Sequence, residues 1–515
     1  MIKKERSIQM KKLFALFLAL SLCLALFTAC SSNGSNSDEQ TGGKNSLVLG
    51  VQSDLGSFDI ANGQFSLDFI IRRCLYEPLI HVDPVTGEEF MRLAEKYEKS
   101  DDDLTYTFYL RKDVKMHDGS TLTADDVVYS LNMTKASADV GKNLSAMKEA
   151  RAVDDYTVEI ELDAPYAAFM KGLSMVFILS AKAYESLGSD GFNEAPVGCG
   201  PYQFVSYENE SKIILKAFAD YYRGVAPIEN IEIRQFADAN ALAIAMEGEE
   251  LDAAAAIAPI NYEDITSNKN IVVSETATTK FGLAAMNTQR APFDNKLLRQ
   301  AINYALDREF ILNACREGIG NPSSLLFNSV MSCTAGVREY TYDLDKVAEL
   351  LKEAGLSLPC TLDVPITTYA SCKAEAEAVQ GSLKEVGIEM EIEILETGAF
   401  FASLASGDIG FAISRLGTSA IDPDQYYNMV SENGYSSINY AWYANPEVEQ
   451  LMLNARKEMD GVKRDEIYRE ALTIIQDDAP YAILYEMPDL NASVKGLNVN
   501  WGLNGMYYLY DFSWN

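Results

Sequence analysis

The residues that could perform chemistry are few, and the clearest grouping is three glutamates spaced by two. Glu389, Glu391 and Glu393 alternate with apolar residues, which places their carboxylates on one face of a predicted strand. Such a face could hold a metal ion, but this spacing is more typical of a solvated strand edge. A zinc site needs about four nitrogen or sulfur ligands close together, and the cysteines and two histidines form no such cluster. We therefore predict no metal and no cofactor.

Catalysis would need a base, a nucleophile or a cofactor cradle. His117 lies in the segment Met116-His117-Asp118-Gly119, where Asp118 could orient its imidazole as a general base. A turn histidine bonded locally is the simpler interpretation. The chain has no G-x-S-x-G elbow, P-loop or G-x-G-x-x-G motif. A carboxylate pair would leave no motif, so the sequence offers no positive sign of catalysis, and we expect a protein that is not an enzyme.

The elements that would position these residues alternate between strand and helix patterns, which is typical of an α/β fold. Strand patterns occur at residues 47–51 and 105–110, and residues 388–394 alternate as one half-buried strand. Thr123 and Asp343 are the predicted N-caps of two helices. Further helices are predicted at residues 297–305, 373–386, 446–458 and 463–476.

The first thirty residues have the pattern of an export signal. Two lysines precede an uncharged run, residues 13–27, which is too short to span a bilayer because spanning takes about 20 apolar residues. The segment Phe27-Thr28-Ala29-Cys30 resembles the lipobox of bacterial lipoproteins, although Phe27 replaces the usual leucine. The resemblance implies a signal peptide over residues 1–29, lipidation of Cys30 and a flexible polar tether over residues 30–45. A secretory signal with an incidental cysteine is the alternative, and either Met1 or Met10 could start translation.

The net charge argues against one class of partner. The formal charge is −32, and it becomes −36 without residues 1–30, which carry five basic residues and one acidic residue. Such a chain repels the phosphates of nucleic acid, so we expect no nucleic-acid partner. The six cysteines after Cys30 have no C-x-x-C spacing. Export would permit a disulfide, for example Cys360 with Cys372, and buried free thiols are equally open.

Many short segments in a fixed order resemble one protein family. The longest block covers residues 74–87 and 103–130, with CLYEPLI, DPVTG, DLTYTFYLR, VKMHDG and LTADDVVYS. Later matches are VGCGPY at 197–202, DYYRG at 220–224, AINYALDR at 301–308, NPEV at 445–448 and DDAP at 477–480. Together they resemble the extracellular solute-binding proteins of family 5, which include dipeptide-, oligopeptide- and nickel-binding receptors of ABC importers.

The resemblance implies a two-lobed, periplasmic-binding-protein-like α/β fold with an extra inserted subdomain and a ligand cleft between the lobes. It assigns lobe 1 to residues 46–83, 198–280 and 485–515, the inserted subdomain to residues 84–197, and lobe 2 to residues 281–484. Chain crossings near Phe281 and Glu486 would then form the hinge.

Peptide-binding members of this family hold the peptide amino group with an aspartate three positions before an Asp-Pro-Asp motif. Here the motif is Asp422-Pro423-Asp424, and the matching residue is Ser419. A hydroxyl cannot neutralise a buried ammonium group. Either another acid replaces it, Asp422 or Asp408, or the ligand is not an ordinary free peptide. Arg415 could offer a bidentate fork to a ligand carboxylate or form a structural salt bridge.

The other candidate ligand contacts lie in two stretches, one in a loop that approaches the cleft in relatives and one before the NPEV segment. They are Asn62, Gln64, Phe65, Tyr440 and Trp442. Aromatic walls with few polar anchors are usual in small-molecule pockets, and ordinary core packing is the alternative for each residue. Nickel-binding relatives carry an aromatic pair where this chain has Gly417 and Ile421, which disfavours nickel.

The resemblance implies a substrate-binding lipoprotein of an ABC importer, which captures a short peptide or peptide-like solute by hinge closure and delivers it to the permease. Its partners would be that ligand, the transmembrane permease subunits and the membrane, through lipidated Cys30. We expect a monomer on the outer face of the cell membrane, or on its periplasmic side if the host has an outer membrane. The alternatives are a lipoprotein that senses a peptide signal, a receptor for a metal complex or another non-peptide solute, and an enzyme with an extracellular substrate.

Overall fold

The structure is a computed structural model that describes residues 44–63, 65–83, 86–418 and 420–515, and residues 44–515 form one compact unit. The predicted signal peptide, Cys30 and most of the predicted tether lie outside the described residues, as do Gln64 and Ser419. The described part mixes helices with strands along its whole length, which confirms the predicted α/β class.

The strands of the described part range from two-residue bridges to long central strands. They are β1 (Ser46–Val51), β2 (Glu77–Pro78), β3 (Ile80–Val82), β4 (Glu89–Met91), β5 (Ala94–Lys99), β6 (Thr105–Leu110), β7 (Met147–Asp154), β8 (Thr157–Leu162), β9 (Phe177–Ile178), β10 (Tyr202–Glu208), β11 (Lys212–Ala217), β12 (Asn230–Gln235), β13 (Ala253–Ala255), β14 (Ile271–Met286), β15 (Asn321–Pro322), β16 (Cys360–Thr361), β17 (Ile366–Tyr369), β18 (Ile388–Glu389), β19 (Ile392–Leu395), β20 (Phe411–Leu416), β21 (Tyr481–Val494), β22 (Leu497–Asn498) and β23 (Ser513–Trp514).

The α-helices of the described part lie between and after these strands. They are α1 (Ser66–Leu75), α2 (Ala124–Ala136), α3 (Phe169–Leu173), α4 (Ala181–Glu194), α5 (Ala239–Glu247), α6 (Tyr262–Ser267), α7 (Lys296–Ala305), α8 (Arg308–Arg316), α9 (Leu344–Glu353), α10 (Lys373–Glu385), α11 (Thr397–Ala405), α12 (Pro446–Lys457) and α13 (Gly461–Asp478).

Eleven of the strands form one sheet. Ten follow the order β10-β11-β12-β1-β13-β21-β14-β20-β17-β19, and β15 pairs with β21. β1 runs parallel to β12 and β13, and β17 runs parallel to β19 and β20. The antiparallel strands β21 and β14 join these two partly parallel regions. A separate four-stranded antiparallel sheet has the order β5-β6-β8-β7.

The two central strands, β14 and β21, are long enough to take part in both regions of the main sheet, with 16 and 14 residues. Their ladder is interrupted, because the pairs jump from Thr276–Asp489 to Lys280–Met487. The predicted chain crossings, Phe281 and Glu486, are direct partners in this ladder and lie next to the interruption. The hinge role and the lobe boundaries stay predictions.

Separate hydrophobic cores pack on different parts of this framework. One joins β1, α1 and β11 with the C-terminal residues 497–512, and another fills the space around β6, β8 and α2. Two more cores lie on opposite faces of β14: residues 281, 283 and 285 enter one, and residues 284 and 286 enter the other. This division follows from the two-residue period of a strand.

Capping residues lie at the helix N-termini that the sequence predicts. The backbone N–H of Thr123 donates to the Asp126 carboxylate at 2.9 Å, which is the return bond of a capping box before α2. The Asp343 carboxylate accepts the N–H of Lys346 at 2.9 Å before α9. The helices predicted from residues 297, 373, 446 and 463 all form, with boundaries within two residues of the prediction.

The glutamate-bearing segment differs from its prediction. Residues 388–394 do not form one strand, because β18 and β19 are separate and pair with different neighbours. The carboxylate face is solvated, since Glu389, Glu391 and Glu393 are exposed. Within the described residues there is no cluster of histidine, cysteine, aspartate or glutamate that could hold a metal ion. The solvated-edge interpretation of the three glutamates therefore stands.

His117 is a structural histidine, but its partners are distant in sequence rather than local. Its Nδ1 accepts the N–H of Gly198 at 3.4 Å, so Nε2 carries the proton and donates to the carbonyl of Gly200 at 3.1 Å. The ring packs edge-on against Phe218. Burial lowers the pKa of His117 to about 4, although the bond to Gly200 favours the charged form.

The VGCGPY segment is glycine-rich because its backbone lies directly against the end of α1. The N–H of Gly200 donates to the carbonyl of Leu75 at 2.9 Å. A Cβ added at Gly200 would lie 2.5 Å from the carbonyl oxygen of Cys74 and 2.6 Å from the nitrogen of Tyr76. These neighbours are backbone atoms, which cannot move aside without shifting the helix end.

We predict that Gly200→Ala lowers the free energy of unfolding by about 1–3 kcal/mol, because overpacking against backbone forces the turn away from α1. The matched control is Gly381→Ala on α10, where an added Cβ meets no atom within 4 Å. That control should raise stability by about 1 kcal/mol, because alanine is the better helix former. Urea unfolding measures both, and equal effects of the two changes would contradict the close-approach explanation.

We predict that His117 contributes stability above pH 6.5 that is lost as the pH falls towards 4. The unfolded chain takes up a proton near pH 6.5, whereas the buried ring does so only near its lowered pKa of about 4. Across this window the stability advantage of the native protein over His117→Gln should shrink by about 3 kcal/mol, at about 1.4 kcal/mol for each pKa unit. Urea titrations of both proteins at pH 7 and pH 4.5 measure it. A constant difference between them would refute this role.

Candidate functional site

The candidate site is a cavity of about 650 Å³. Its wall combines residues that are far apart in the chain, and the described ones lie at positions 51–53, 63, 66, 69–70, 73, 139–140, 142–143, 175, 255–256, 280, 415–418, 487, 489, 491 and 504–507. The volume lies within the range of about 300–1,000 Å³ that is usual for small-molecule pockets.

The main sheet positions this cavity through the ends of three strands. Val51 ends β1, and Ala255 ends the parallel β13 directly beside it. Leu416 ends β20 on the other side of β14 and β21. Ligands of open α/β sheets bind outside the carboxyl ends of the strands, and this cavity has that position.

The interruption in the central ladder also faces the cavity. Lys280 and Asp489 both line it, and the Lys280 ammonium lies 2.7 Å from the Asp489 carboxylate. The hydroxyl of Thr279 donates to the carbonyl of Thr418 at 2.7 Å, and it accepts the N–H of Thr418 at 3.0 Å. The part of β14 that leaves the ladder is therefore bonded at the cavity wall to Thr418, two residues after the end of β20.

Arg415 is the predicted ligand contact that lies in the cavity wall, and it carries a structural salt bridge as well. Its Nε lies 2.6 Å from the buried carboxylate of Glu375, which also accepts the hydroxyl of Tyr485 at 2.5 Å. Burial alone would lower the pKa of Arg415, but the Glu375 charge outweighs it and the pKa is raised. The guanidinium group of Arg415 is therefore already hydrogen-bonded to the Glu375 carboxylate through Nε.

The Asp-Pro-Asp motif is engaged in ion pairs rather than exposed in the cavity wall. Arg464 donates to both oxygens of Asp422 at 2.7 and 2.9 Å, and Lys171 lies 3.4 Å from the same carboxylate. Burial opposes ionisation of Asp422, but Arg464 and Lys171 outweigh it, and the pKa of this carboxyl lies below its usual value. Asp424 pairs with Arg456 at 2.9 Å and accepts the hydroxyl of Tyr166 at 2.7 Å.

The remaining predicted contacts do not line the cavity where the structure describes them. Tyr440 is buried in a core beside Phe401, and the indole N–H of Trp442 donates to the carbonyl of Leu404 at 3.0 Å. Asn62 and Phe65 flank the lining residue Gly63 and are not lining residues themselves. For these residues and for Asp422, ligand contact stays a prediction that this geometry does not support. Gln64 and Ser419 lie outside the described residues.

Sequence reasoning missed several charged residues of the cavity wall. Arg73, Asp139 and Lys142 belong to this group, and so do Lys280 and Asp489. The position of Lys280 could have been found, because it immediately precedes the predicted crossing at Phe281. Arg73, Asp139 and Lys142 carry no sequence signal, since only folding brings α1 and the turn after α2 to the ends of β1 and β13.

The cysteines in the described residues are not paired in disulfides. All six cysteines there have free thiols, including Cys360 and Cys372. Burial raises the pKa of Cys74 to about 12, which keeps that thiol protonated and inert.

Across the described ranges, no helix is both long and apolar enough to cross a membrane.

Comparison with known proteins gives consistent matches. The family model for bacterial extracellular solute-binding proteins, family 5 middle region, matches residues 91–437. The dipeptide-binding protein of Escherichia coli strain K12 is 30% identical over 447 residues, which cover 80% of this chain and 83% of that protein. The glutathione-binding protein GsiB of the same strain is 27% identical over 504 residues, which cover 94% of this chain and 95% of that protein.

Among solved structures, the ABC transporter-associated periplasmic binding protein DppA from Helicobacter pylori, in complex with the peptide STSA, is similar to this chain with a TM-score of 0.78. The two are 25% identical, and the alignment covers 93% of this chain and 100% of that one. This likeness confirms the predicted periplasmic-binding-protein-like fold. The family model spans more than half of the chain. The chain therefore belongs to the bacterial extracellular solute-binding proteins of family 5.

Proposed function

We propose that this protein captures a short peptide or a peptide-like solute in the 650 Å³ cavity and delivers it to the permease of an ABC importer. The observation that carries the proposal is the cavity itself, which lies at the carboxyl ends of β1, β13 and β20. It belongs to a chain of the solute-binding family and has the size of a small-ligand pocket. Named relatives that bind dipeptides, glutathione and the peptide STSA support a peptide-like ligand.

Hinge closure is the proposed mechanism, and β14 and β21 are its proposed hinge. Both strands contribute to the two halves of the main sheet, and their ladder is interrupted between Thr276 and Lys280. Because fewer backbone hydrogen bonds join β14 and β21 at this point, bending the strand pair there costs less free energy. The Lys280–Asp489 pair lies at the same point in the cavity wall, so a bound ligand would contact the hinge directly. No chemical step is required, because a ligand only needs to favour the closed state.

Attachment to the membrane through Cys30 completes the proposal. The lipobox-like segment before Cys30 and the polar stretch behind it support a lipid anchor with a flexible tether. Two or more acyl chains hold a protein stably, whereas one gives only marginal binding. A tethered monomer outside the cell membrane could meet the permease repeatedly without diffusing away.

We predict saturable, one-to-one binding of short peptides by the full chain purified in detergent. Ligand at about one hundred times its Kd should stabilise the protein by about 2.7 kcal/mol, because binding to the folded state alone shifts the unfolding equilibrium. Calorimetry and thermal unfolding measure it, and native mass spectrometry identifies a co-purified ligand. If no peptide binds and only a metal or a non-amine solute co-purifies, the peptide assignment is wrong.

A second prediction concerns the contact between residues 166–171 and the Asp-Pro-Asp motif. Tyr166 and Lys171 lie in the proposed inserted subdomain, and Asp422 and Asp424 lie in the proposed lobe 2, so their bonds would form only on closure. Tyr166→Phe should therefore raise the Kd for peptide about tenfold, the effect of losing one hydrogen bond to a charged group.

The matched control for this change is Tyr97→Phe. The hydroxyl of Tyr97 donates to Glu89 at 2.9 Å, and both residues belong to the inserted subdomain. Its loss should leave peptide affinity unchanged. Calorimetric Kd values for the two variants decide between the alternatives, because equal affinities would mean that the Tyr166–Asp424 bond also persists in the open state.

A further inference from the structure

The C-terminal segment of residues 501–507, which we call the latch segment, contacts two of the separate hydrophobic cores. Trp501 and Tyr507 are buried in the core that joins β1, α1 and β11. Between them in the chain, Leu503 and Met506 pack against the core that one face of β14 enters. The latch segment therefore bridges two parts of the molecule that have cores of their own.

The backbone of the latch segment makes a tight turn at this bridge. Gly502, Asn504 and Gly505 have positive φ angles of +58°, +55° and +66°. Asparagine adopts this left-handed region more readily than most other residues that carry a side chain. Position 504 can therefore present a polar side chain from a turn that otherwise favours glycine.

The interruption in the β14–β21 ladder leaves a buried donor that the ladder does not satisfy. Residues 277–279 of β14 have no partners in β21, and the β21 residue opposite them is Pro488, which has no N–H to donate. Thr279 is fully buried, and a buried backbone N–H needs a hydrogen-bond acceptor. The Oδ1 atom of Asn504 accepts this N–H at 3.1 Å. Asn504 thus supplies the acceptor that the ladder lacks.

The other end of the same side-chain amide bonds to the segment after β20. The Nδ2 atom of Asn504 donates to the carbonyl of Thr418 at 3.0 Å. One side chain therefore joins the latch segment, the interruption in the central ladder and the chain beyond the end of β20. Thr418 and residues 504–507 all line the cavity, so a ligand there would lie beside these bonds.

We propose that Asn504 is a positioning residue that holds the proposed hinge in its closed state. Its side-chain bonds to Thr279 and Thr418 form when the part of the molecule that carries the latch segment approaches the part that carries β20, and they break when the two parts separate. A ligand in contact with residues 504–507 would favour the bonded state. This inference rests on the proposed function, because it names an interaction that stabilises the closed state of the proposed hinge.

The test requires no identified ligand, because hydrogen exchange of the full chain in detergent, followed by mass spectrometry, measures opening directly. The remote reporter is Ala167, whose N–H donates to the carbonyl of Arg456 at 2.9 Å, between the proposed inserted subdomain and the proposed lobe 2. Asn504→Gly removes the side chain and keeps the left-handed backbone. It should make exchange in the peptide that contains Ala167 about tenfold faster, because losing the hydrogen bonds of one amide makes opening more frequent.

The matched control is Glu210→Gly. Glu210 also has a left-handed backbone, with a φ angle of +55°, and it is exposed in the turn between β10 and β11, outside the cavity wall. Removing its side chain should leave exchange at Ala167 unchanged. Unchanged exchange in β6 verifies that each variant folds.

Asn504→Asp separates the two bonds of the amide. Its carboxylate can still accept the N–H of Thr279, but it cannot donate to the carbonyl of Thr418. Exchange at Thr279 should therefore stay slow, while exchange at Ala167 becomes faster.

The outcomes separate this inference from the proposed function. If Asn504→Gly speeds exchange near Thr279 alone, the amide has only a local structural role and the inference is wrong. Unchanged exchange at both places would overturn it as well, and so would an equal response at Ala167 to Glu210→Gly. Each of these results leaves peptide binding intact. Failure of every peptide to bind would instead overturn the proposed function, and the exchange measurements would still decide whether Asn504 holds the two parts together.

Discussion

The pairing of β14 with β21 is the constraint on which the rest of this structure depends. These strands join the two partly parallel regions of the main sheet, and each contributes side chains to more than one core. Their ladder is interrupted between Thr276 and Lys280, and its register shifts once more between Gly282 and Leu283. A protein that closes over a ligand needs strong pairing within each half and weaker pairing between them. Under the proposed hinge closure, this one strand pair would meet both needs.

The candidate ligand cavity follows from the same arrangement. β1 and β13 end beside one another on one side of the central pair, and β20 ends on the other, so the strand ends leave a space that the interruption in the ladder faces. Protein groups already satisfy most charges near this space. Asp422 with Arg464 and Arg415 with Glu375 are ion pairs that hold the surrounding structure, because breaking a buried pair leaves an uncompensated charge.

Particular residues show how far the sequence could lead. The capping residues Thr123 and Asp343 act within one turn of chain, so their helices form as predicted. The strand predicted at residues 388–394 divides into β18 and β19, because the partner of each part is decided by tertiary packing and not by the alternation of apolar residues. His117 reads as a turn histidine from its neighbours, yet its hydrogen-bond partners are Gly198 and Gly200, some eighty residues later.

The sequence by itself determined the family and the alternation of helices and strands. These properties rest on motifs and periodicity, which are local and therefore visible in the chain. Only the tertiary structure decided which charges are available to a ligand. Asp422 is occupied by Arg464 and Arg415 by Glu375, whereas Lys142 has no such partner among the described residues. Ion pairing depends on distances between residues far apart in the chain, and folding alone sets those distances.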